Sequence, residues 1–171
     1  MLNGKRLAFV GGGNMAEAMI RGLLAAKLMG PDDLFVSDVR EDRLAYLQET
    51  YHVHTSTSNA EVASKAEVLV LAVKPQIMGQ VLDGLIDVVN GEKLLVSIAA
   101  GITTTFIADK FPGPVRVIRV MPNTPALVLE AASALTRGSR ATLEDLEIAK
   151  RLFQAVGKVV IVDESLMDAI T

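Results

Sequence analysis

The sequence has no cysteine and no tryptophan, and aromatic residues make up only 4% of it. Without cysteine there is neither a disulfide framework nor a thiolate metal site. Its two histidines, His52 and His54, stand on alternate positions of a thin apparent strand with no third ligand beside them. That fits two exposed edge residues better than a metal pair, and no metal is expected. Clusters of lysine and arginine are also lacking, and the net charge is −3. This near balance argues against nucleic acid or an anionic membrane as the main partner. No apolar run approaches the roughly 20 residues of a membrane span, and the amino terminus lacks a signal-peptide pattern, so a soluble cytoplasmic protein is the default expectation. Repeats and low-complexity segments are missing as well. What is present is a core: half of the 171 residues are apolar, and a chain of this length buries about 70% of the surface its unfolded form exposes.

The chain is organised around Lys5–Ile20. Leu7 to Val10 is an apolar run of strand length without alternation, as in a strand buried on both faces. Three glycines follow, and then a helical period begins, with Met15, Met19 and Leu23 on one line and Ile20, Leu24 and Leu28 beside it. The glycines read Gly11-x-Gly13-x-x-Ala16. Gly11 permits a tight turn, Gly13 carries no side chain to hold a pyrophosphate off the backbone, and Ala16 keeps the helix close to the sheet. The free N–H groups that open the helix, at its positive end, would then face two phosphates. A plain glycine turn is the competing reading, but strand, turn and helix together are the context of a dinucleotide-binding fingerprint.

Leu34–Asp38 reads as the second strand, whose end meets the adenosine ribose in such a fold. An acidic residue there bonds the 2′-hydroxyl of NAD, and a nearby arginine accommodates the 2′-phosphate of NADP. This chain offers Asp38 with both Arg40 and Arg43, and Ser37 could also bond a phosphate. Equally, Asp38 could cap the helix 41–50 and leave the arginines solvated. The two arginines favour NADP(H), and NAD(H) stays open.

The remaining strands are expected at His52–Thr55, Glu67–Val73, Leu94–Ile98, Val115–Val120, Glu130–Thr136 and Lys158–Val162, with helices between most of them. Together they predict an α/β, doubly wound, mostly parallel sheet of about eight strands with helices on both faces. Lys74 and Pro75 end the fourth strand on the rim where such sheets bind ligands; Lys74 is either surface or a cofactor contact, and Pro75 suits the first turn of the next helix. Ala99 and Ala100 after the fifth strand either pack tightly or let a nicotinamide ring lie against the backbone. In Met121-Pro122-Asn123-Thr124-Pro125 the prolines stiffen a loop, and this either is simply a rigid connection or fixes the Asn123 amide, donor and acceptor together, for a carboxamide or substrate. Thr142 to Asp145 caps a long helix that Gly157 stops, with a Glu147–Arg151 pair on its outer face. The tail 163–171 looks like the start of another helix, its Leu166, Met167 and Ile170 having nothing to bury against.

The spaced set Gly11–Ala16, Ala72-Val73-Lys74-Pro75, Ser97–Gly101 and Met121–Ala126 closely resembles the pyrroline-5-carboxylate reductases, in order and spacing, from Leu7 to Thr171. The resemblance implies the last step of proline synthesis, reduction of the cyclic imine carboxylate 1-pyrroline-5-carboxylate by a nicotinamide cofactor. It places the phosphates over Gly11, Gly13, Asn14 and Met15, the ribose end near Ser37 and Asn59, and the nicotinamide half along Ala72 to Pro75 and Ile98 to Ala100. It further implies a Rossmann domain at 1–163 and, at 164–171, the start of a helix leading to a helical dimerisation and substrate domain. That domain would hold most of the substrate site and build a homo-oligomer, so catalytic residues are expected outside this chain, with Asn123 a candidate for positioning and turnover by the chain alone poor or nil. Alternatives are a hydroxyacid dehydrogenase, an F420-dependent NADP reductase, a non-catalytic nucleotide-binding module and a methyltransferase.

Overall fold

Eight strands form one sheet: β1 (Leu7–Val10), β2 (Leu34–Ser37), β3 (His54–Ser56), β4 (Val68–Leu71), β5 (Leu94–Ser97), β6 (Arg116–Met121), β7 (Ala131–Arg137) and β8 (Gly157–Ile161). This is a computed structural model that describes residue 2 and residues 4–170, so Thr171 at the end of the expected tail lies outside it. The helices are α1 (Asn14–Ala25), α2 (Glu41–Tyr51), α3 (Asn59–Ser64), α4 (Met78–Asp83), α5 (Thr104–Ala108), α6 (Leu143–Gln154) and α7 (Met167–Ile170). The strand order is β3-β2-β1-β4-β5-β6-β7-β8. Every neighbouring pair is parallel except β6 with β7. The short link between those two holds only a 3₁₀ turn at Thr124–Val128, not the crossover helix a parallel return needs.

β1, β2, β4 and β5 are buried at every position, because alternate side chains serve opposite layers. Leu7, Phe9, Val36 and Val70 pack with Met19 and Leu23 of α1, Leu47 of α2 and Phe153 of α6. Ala8, Val10, Leu69 and Leu71 pack with Val62 of α3, Met78 and Leu82 of α4 and Ile107 of α5. The sheet is therefore covered on both faces, and the fold is the Rossmann-type α/β architecture that the uninterrupted apolar runs imply.

Three local expectations are corrected. α2 runs on to Tyr51 and His52 closes it in the left-handed conformation at φ 61, so His52 is not in β3 and the two histidines do not share a strand. His54 instead stacks on Phe35 with ring centres 4.8 Å apart. α6 ends at Gln154 with Ala155 as its cap, and Gly157 opens β8 rather than stopping the helix. In the tail Met167 is fully buried, although Leu166 and Ile170 are about half exposed. Among the described residues no helix is long and apolar enough to cross a membrane.

Candidate functional site

The chain leaves β1 for β2 on one side and later returns to β4 on the other, which opens a crevice beyond the carboxyl ends of β1 and β4. The glycine turn stands there. Gly11 has φ 103, its N–H donates to the Ser37 carbonyl at 2.9 Å, and a Cβ on it would lie 2.4 Å from the Ala72 carbonyl oxygen. The Ala72 N–H in turn donates to the Val10 carbonyl at 2.8 Å. Three strand ends are thus drawn together at a point that tolerates no side chain. Gly13 opens α1 in an extended conformation, and among the described residues no side chain caps the helix and nothing beyond its chain neighbours lies within 4 Å of where its Cβ would stand. The first N–H groups of α1 have no carbonyl four residues behind them to accept, and they border open space. A cleft of about 500 Å³ runs from here along Gly11, Gly13, Asp38, Val39, Arg40, Ala72, Val73, Lys74 and Ile77.

Asp38 closes the far end of the turn. Its carboxylate accepts from the Gly12 N–H at 2.9 Å, from the Arg40 N–H at 2.9 Å and from Arg40 Nε at 3.1 Å. Burial pushes this carboxyl up, but the Arg40 guanidinium, the two N–H groups and the Arg40 charge together hold it below the usual carboxylate value. Asp38 does not cap α2, whose N-cap is Arg40. Arg40 keeps 57% of its side chain exposed over the cleft. Ser37 is fully buried, and its hydroxyl lies 2.7 Å from Asn59 Oδ1, so it stands behind Asn59 instead of presenting itself to a ligand. Arg43, the second arginine that favoured NADP, is turned to the glycine turn itself and donates from Nε to the Gly12 carbonyl at 2.6 Å.

This geometry is matched by the comparisons with known proteins. Residues 6–101 fit the family model described as NADP oxidoreductase, coenzyme F420-dependent. The chain belongs to this family. Pyrroline-5-carboxylate reductases are among the chain's relatives: that of Methanosarcina acetivorans is 42% identical over 170 residues, 99% of this chain and 63% of the relative. The chain thus spans less than two thirds of that relative's length. The structure of a pyrroline-5-carboxylate reductase from Coxiella burnetii superposes with a TM-score of 0.93 at 33% identity, covering 97% of this chain and 62% of that one. The Plasmodium falciparum pyrroline carboxylate reductase, solved with NADP bound, gives a TM-score of 0.85 at 27% identity over 96% of this chain and 60% of its own. The resemblance to the pyrroline-5-carboxylate reductases therefore holds.

In this member of the NADP oxidoreductase family, the other expected site residues lie around the same crevice without all reaching the cleft. Lys74 is exposed and Pro75 begins a 3₁₀ turn, Pro75–Ile77, ahead of α4. Ile98, Ala99 and Ala100 follow β5, tied to β4 by the Ile98 N–H to Leu71 carbonyl bond at 3.2 Å, and do not line the cleft. Asn14 is exposed at the helix start, and Met15 is half buried against the core. Asn123 does not offer donor and acceptor together: its Oδ1 accepts from the Ala132 N–H at 2.9 Å and pins the start of β7, leaving the NH₂. Among the described residues no group of three or more His, Asp or Glu side chains could hold a metal ion.

Residue patterns left three features unnoticed. Val39, 89% exposed, and Ile77, 45% exposed, are apolar walls of the cleft; the signal was a lone valine set between Asp38 and Arg40. Arg43 contacts the turn, for which the sign was its helical spacing to Tyr46 and Tyr51. Arg119 is 1% exposed in the middle of β6, the one basic residue between the apolar residues Val117, Ile118 and Val120.

Proposed function

We propose that this chain is the cofactor-binding part of a pyrroline-5-carboxylate reductase, which reduces 1-pyrroline-5-carboxylate to L-proline with NADPH in preference to NADH. The observation that carries the reading is the bare turn Gly11–Gly13, unobstructed at Gly13, at the head of a cleft between β1 and β4. When bound, the dinucleotide supplies hydride from C4 of its reduced nicotinamide to the C=N carbon of a cyclic imine. The chain's own residues bind and orient. Gly11, Gly13 and the N–H groups of Asn14 and Met15, at the positive end of α1, receive the diphosphate. Asp38 and Arg40 meet the ribose end, with Asn59 nearby and Ser37 holding it. Arg40, paired with Asp38 but 57% exposed over the cleft, is the group placed to turn to a 2′-phosphate, which supports NADPH. Val39 and Ile77 offer apolar walls to the adenine. Ala72, Val73, Lys74 and Pro75, with Ile98, Ala99 and Ala100, border the nicotinamide half, and the Asn123 NH₂ helps to position what lies beyond it.

On this reading residues 1–163 are the Rossmann domain, and 164–171 begin the helix toward a helical domain. That domain supplies donors for the substrate carboxylate, the catalytic contacts and the homo-oligomeric interface of a cytoplasmic enzyme. Calorimetry with NADPH and NADH, followed by imine reduction with and without an added carboxyl-terminal half, tests it. Cofactor heat without turnover, and turnover once the second half is supplied, is the expected result; no heat for either nucleotide removes the proposal. The family description favours a second reading, hydride exchange between NADP and coenzyme F420. Oxidation of NADPH by F420 in the same assays, without imine consumption, would select it.

A further inference from the structure

We propose that Arg43 is a positioning residue for dinucleotide binding, one that fixes the peptide planes of the glycine turn and does not read the 2′-phosphate. The inference rests on the cofactor site proposed above. Arg43 lies on the face of α2 turned to α1, its side chain only 17% exposed. Its Nε donates to the Gly12 carbonyl at 2.6 Å, and its Nη2 to the Gly13 carbonyl at 3.3 Å and to Glu17 Oε2 at 2.5 Å. Glu17 Oε1 also accepts from Tyr46 OH at 2.8 Å and Tyr51 OH at 2.7 Å, and the guanidinium lies over the Tyr46 ring, 5.2 Å from its centre. Nε and Nη2 of the guanidinium are thus engaged, and the Tyr46 ring lies against its plane.

The consequence follows from peptide planarity. In a trans peptide the carbonyl of one residue and the N–H of the next point in opposite directions. Holding the Gly12 and Gly13 carbonyls against Arg43 therefore turns the N–H groups of Gly13 and Asn14 away from it. The Gly13 carbonyl also accepts from the Glu17 N–H at 3.0 Å, so the strap's own part is to keep the Gly12 carbonyl, which would repel a phosphate, from swinging outward. Glycine allows that swing more readily than any other residue, so a turn made of glycines needs an external restraint to stay organised for an anion. Glu17 needs one as well. One turn inside α1, its carboxylate would oppose an approaching diphosphate if left unpaired, and Arg43 neutralises it. Burial pushes the Tyr51 phenol up to about 12, with the bond to Glu17 acting in the same direction, so the Tyr51 hydroxyl remains a donor throughout the neutral range.

A residue that reads the 2′-phosphate discriminates between NADPH and NADH; one that shapes the diphosphate turn does not. Titration calorimetry of the full chain with both nucleotides separates the two. Arg43→Met should weaken NADPH and NADH alike, each by about tenfold, as expected from losing a charge-assisted contact. Arg40→Ala should weaken NADPH alone. In the free protein the amide NMR signals of Gly12, Gly13 and Asn14 should shift in Arg43→Met while those of the distant β6 stay in place, a pattern that general destabilisation would not produce. If Arg43→Met does not fold, the double variant Tyr46→Phe/Tyr51→Phe carries the same comparison, with a smaller equal loss expected. A loss confined to NADPH, or unchanged affinity for both nucleotides, overturns the strap. Wild-type protein that binds neither nucleotide overturns the cofactor site itself, and the strap with it.

Discussion

The Asp38 carboxylate is the most heavily bonded acid bordering the cleft, and its protonation state sets how firmly the glycine turn is held. Burial raises its pKa, but the Arg40 and Gly12 bonds and the Arg40 charge outweigh that and leave it lowered. A carboxyl depressed in the folded state adds stability that is fully present above its unfolded value, near 3.8 for this side chain, and is lost as pH falls through the lower folded value. Glu17 follows the same sign: burial raises it, while its bonds to Tyr51, Tyr46 and Arg43 bring it down. Denaturation midpoints measured from pH 6 down to pH 3 should therefore fall steeply in the last unit. In Asp38→Asn the curve should be flatter, and the gap between the two proteins should close at the acid end. Parallel curves across the whole range would show that the carboxylate is not the titrating element.

At the scale of elements, the approach of α1 to α6 sets two opposing magnitudes against each other. Gly22 sits inside α1, where alanine would gain about 1 kcal/mol of helix propensity. Yet a Cβ there would stand 2.5 Å from the Ala155 carbonyl oxygen, and backbone at the end of α6 cannot move aside without opening the core at Val156 and Phe153. Overpacking of this kind costs about 1–3 kcal/mol, and against backbone the upper part of that range applies. After the propensity gain of about 1 kcal/mol, Gly22→Ala should be destabilising by up to about 2 kcal/mol in chemical denaturation. A stabilised variant would mean that the two helices have room to part. The same contest explains what the sequence conveyed. Runs such as Val68–Leu71 are apolar at every position, so strand identity and two-sided burial were plain. The Thr142 capping box, with Asp145 as its reciprocal partner, was equally local and therefore visible. Boundaries near turns were not, because the left-handed His52 and the strand role of Gly157 depend on which neighbour the backbone meets. In the site, Gly11 and Gly13 announced themselves by their chemistry. The roles of Arg43 and Asn123 arise from contacts made across 31 and 9 residues of chain, and that of Val39 from where the cleft runs, which no local pattern carries.

For the molecule as a whole, the question is what holds residues 164–170 to the sheet. Arg119 reaches from β6 to Asp168 at 2.6 Å and to Glu164 at 3.6 Å, while its Nε has no hydrogen-bond partner among the described residues. Glu164 also accepts from the N–H and Oγ1 of Thr104, both at 2.7 Å, which joins the tail to α5. Taking a guanidinium out of water is costly, and replacing a buried ionic group by an apolar one of similar volume is often neutral or stabilising. The acids left behind in Arg119→Met would not be stranded, since Asp168 is 72% and Glu164 31% exposed. Global stability should therefore hold or rise by about 1–2 kcal/mol. Hydrogen exchange of residues 164–170 should nevertheless accelerate, because the tail would lose its ion pairs to β6 and keep the buried Met167 and the Thr104–Glu164 bonds. On the proposed function this segment leads from the cofactor cleft toward the substrate-binding half, so the arginine trades overall stability for a fixed direction of exit. A variant that loses more than about 2 kcal/mol globally, with exchange in the tail unchanged, would show instead that Arg119 supports the sheet and that the tail is held without it.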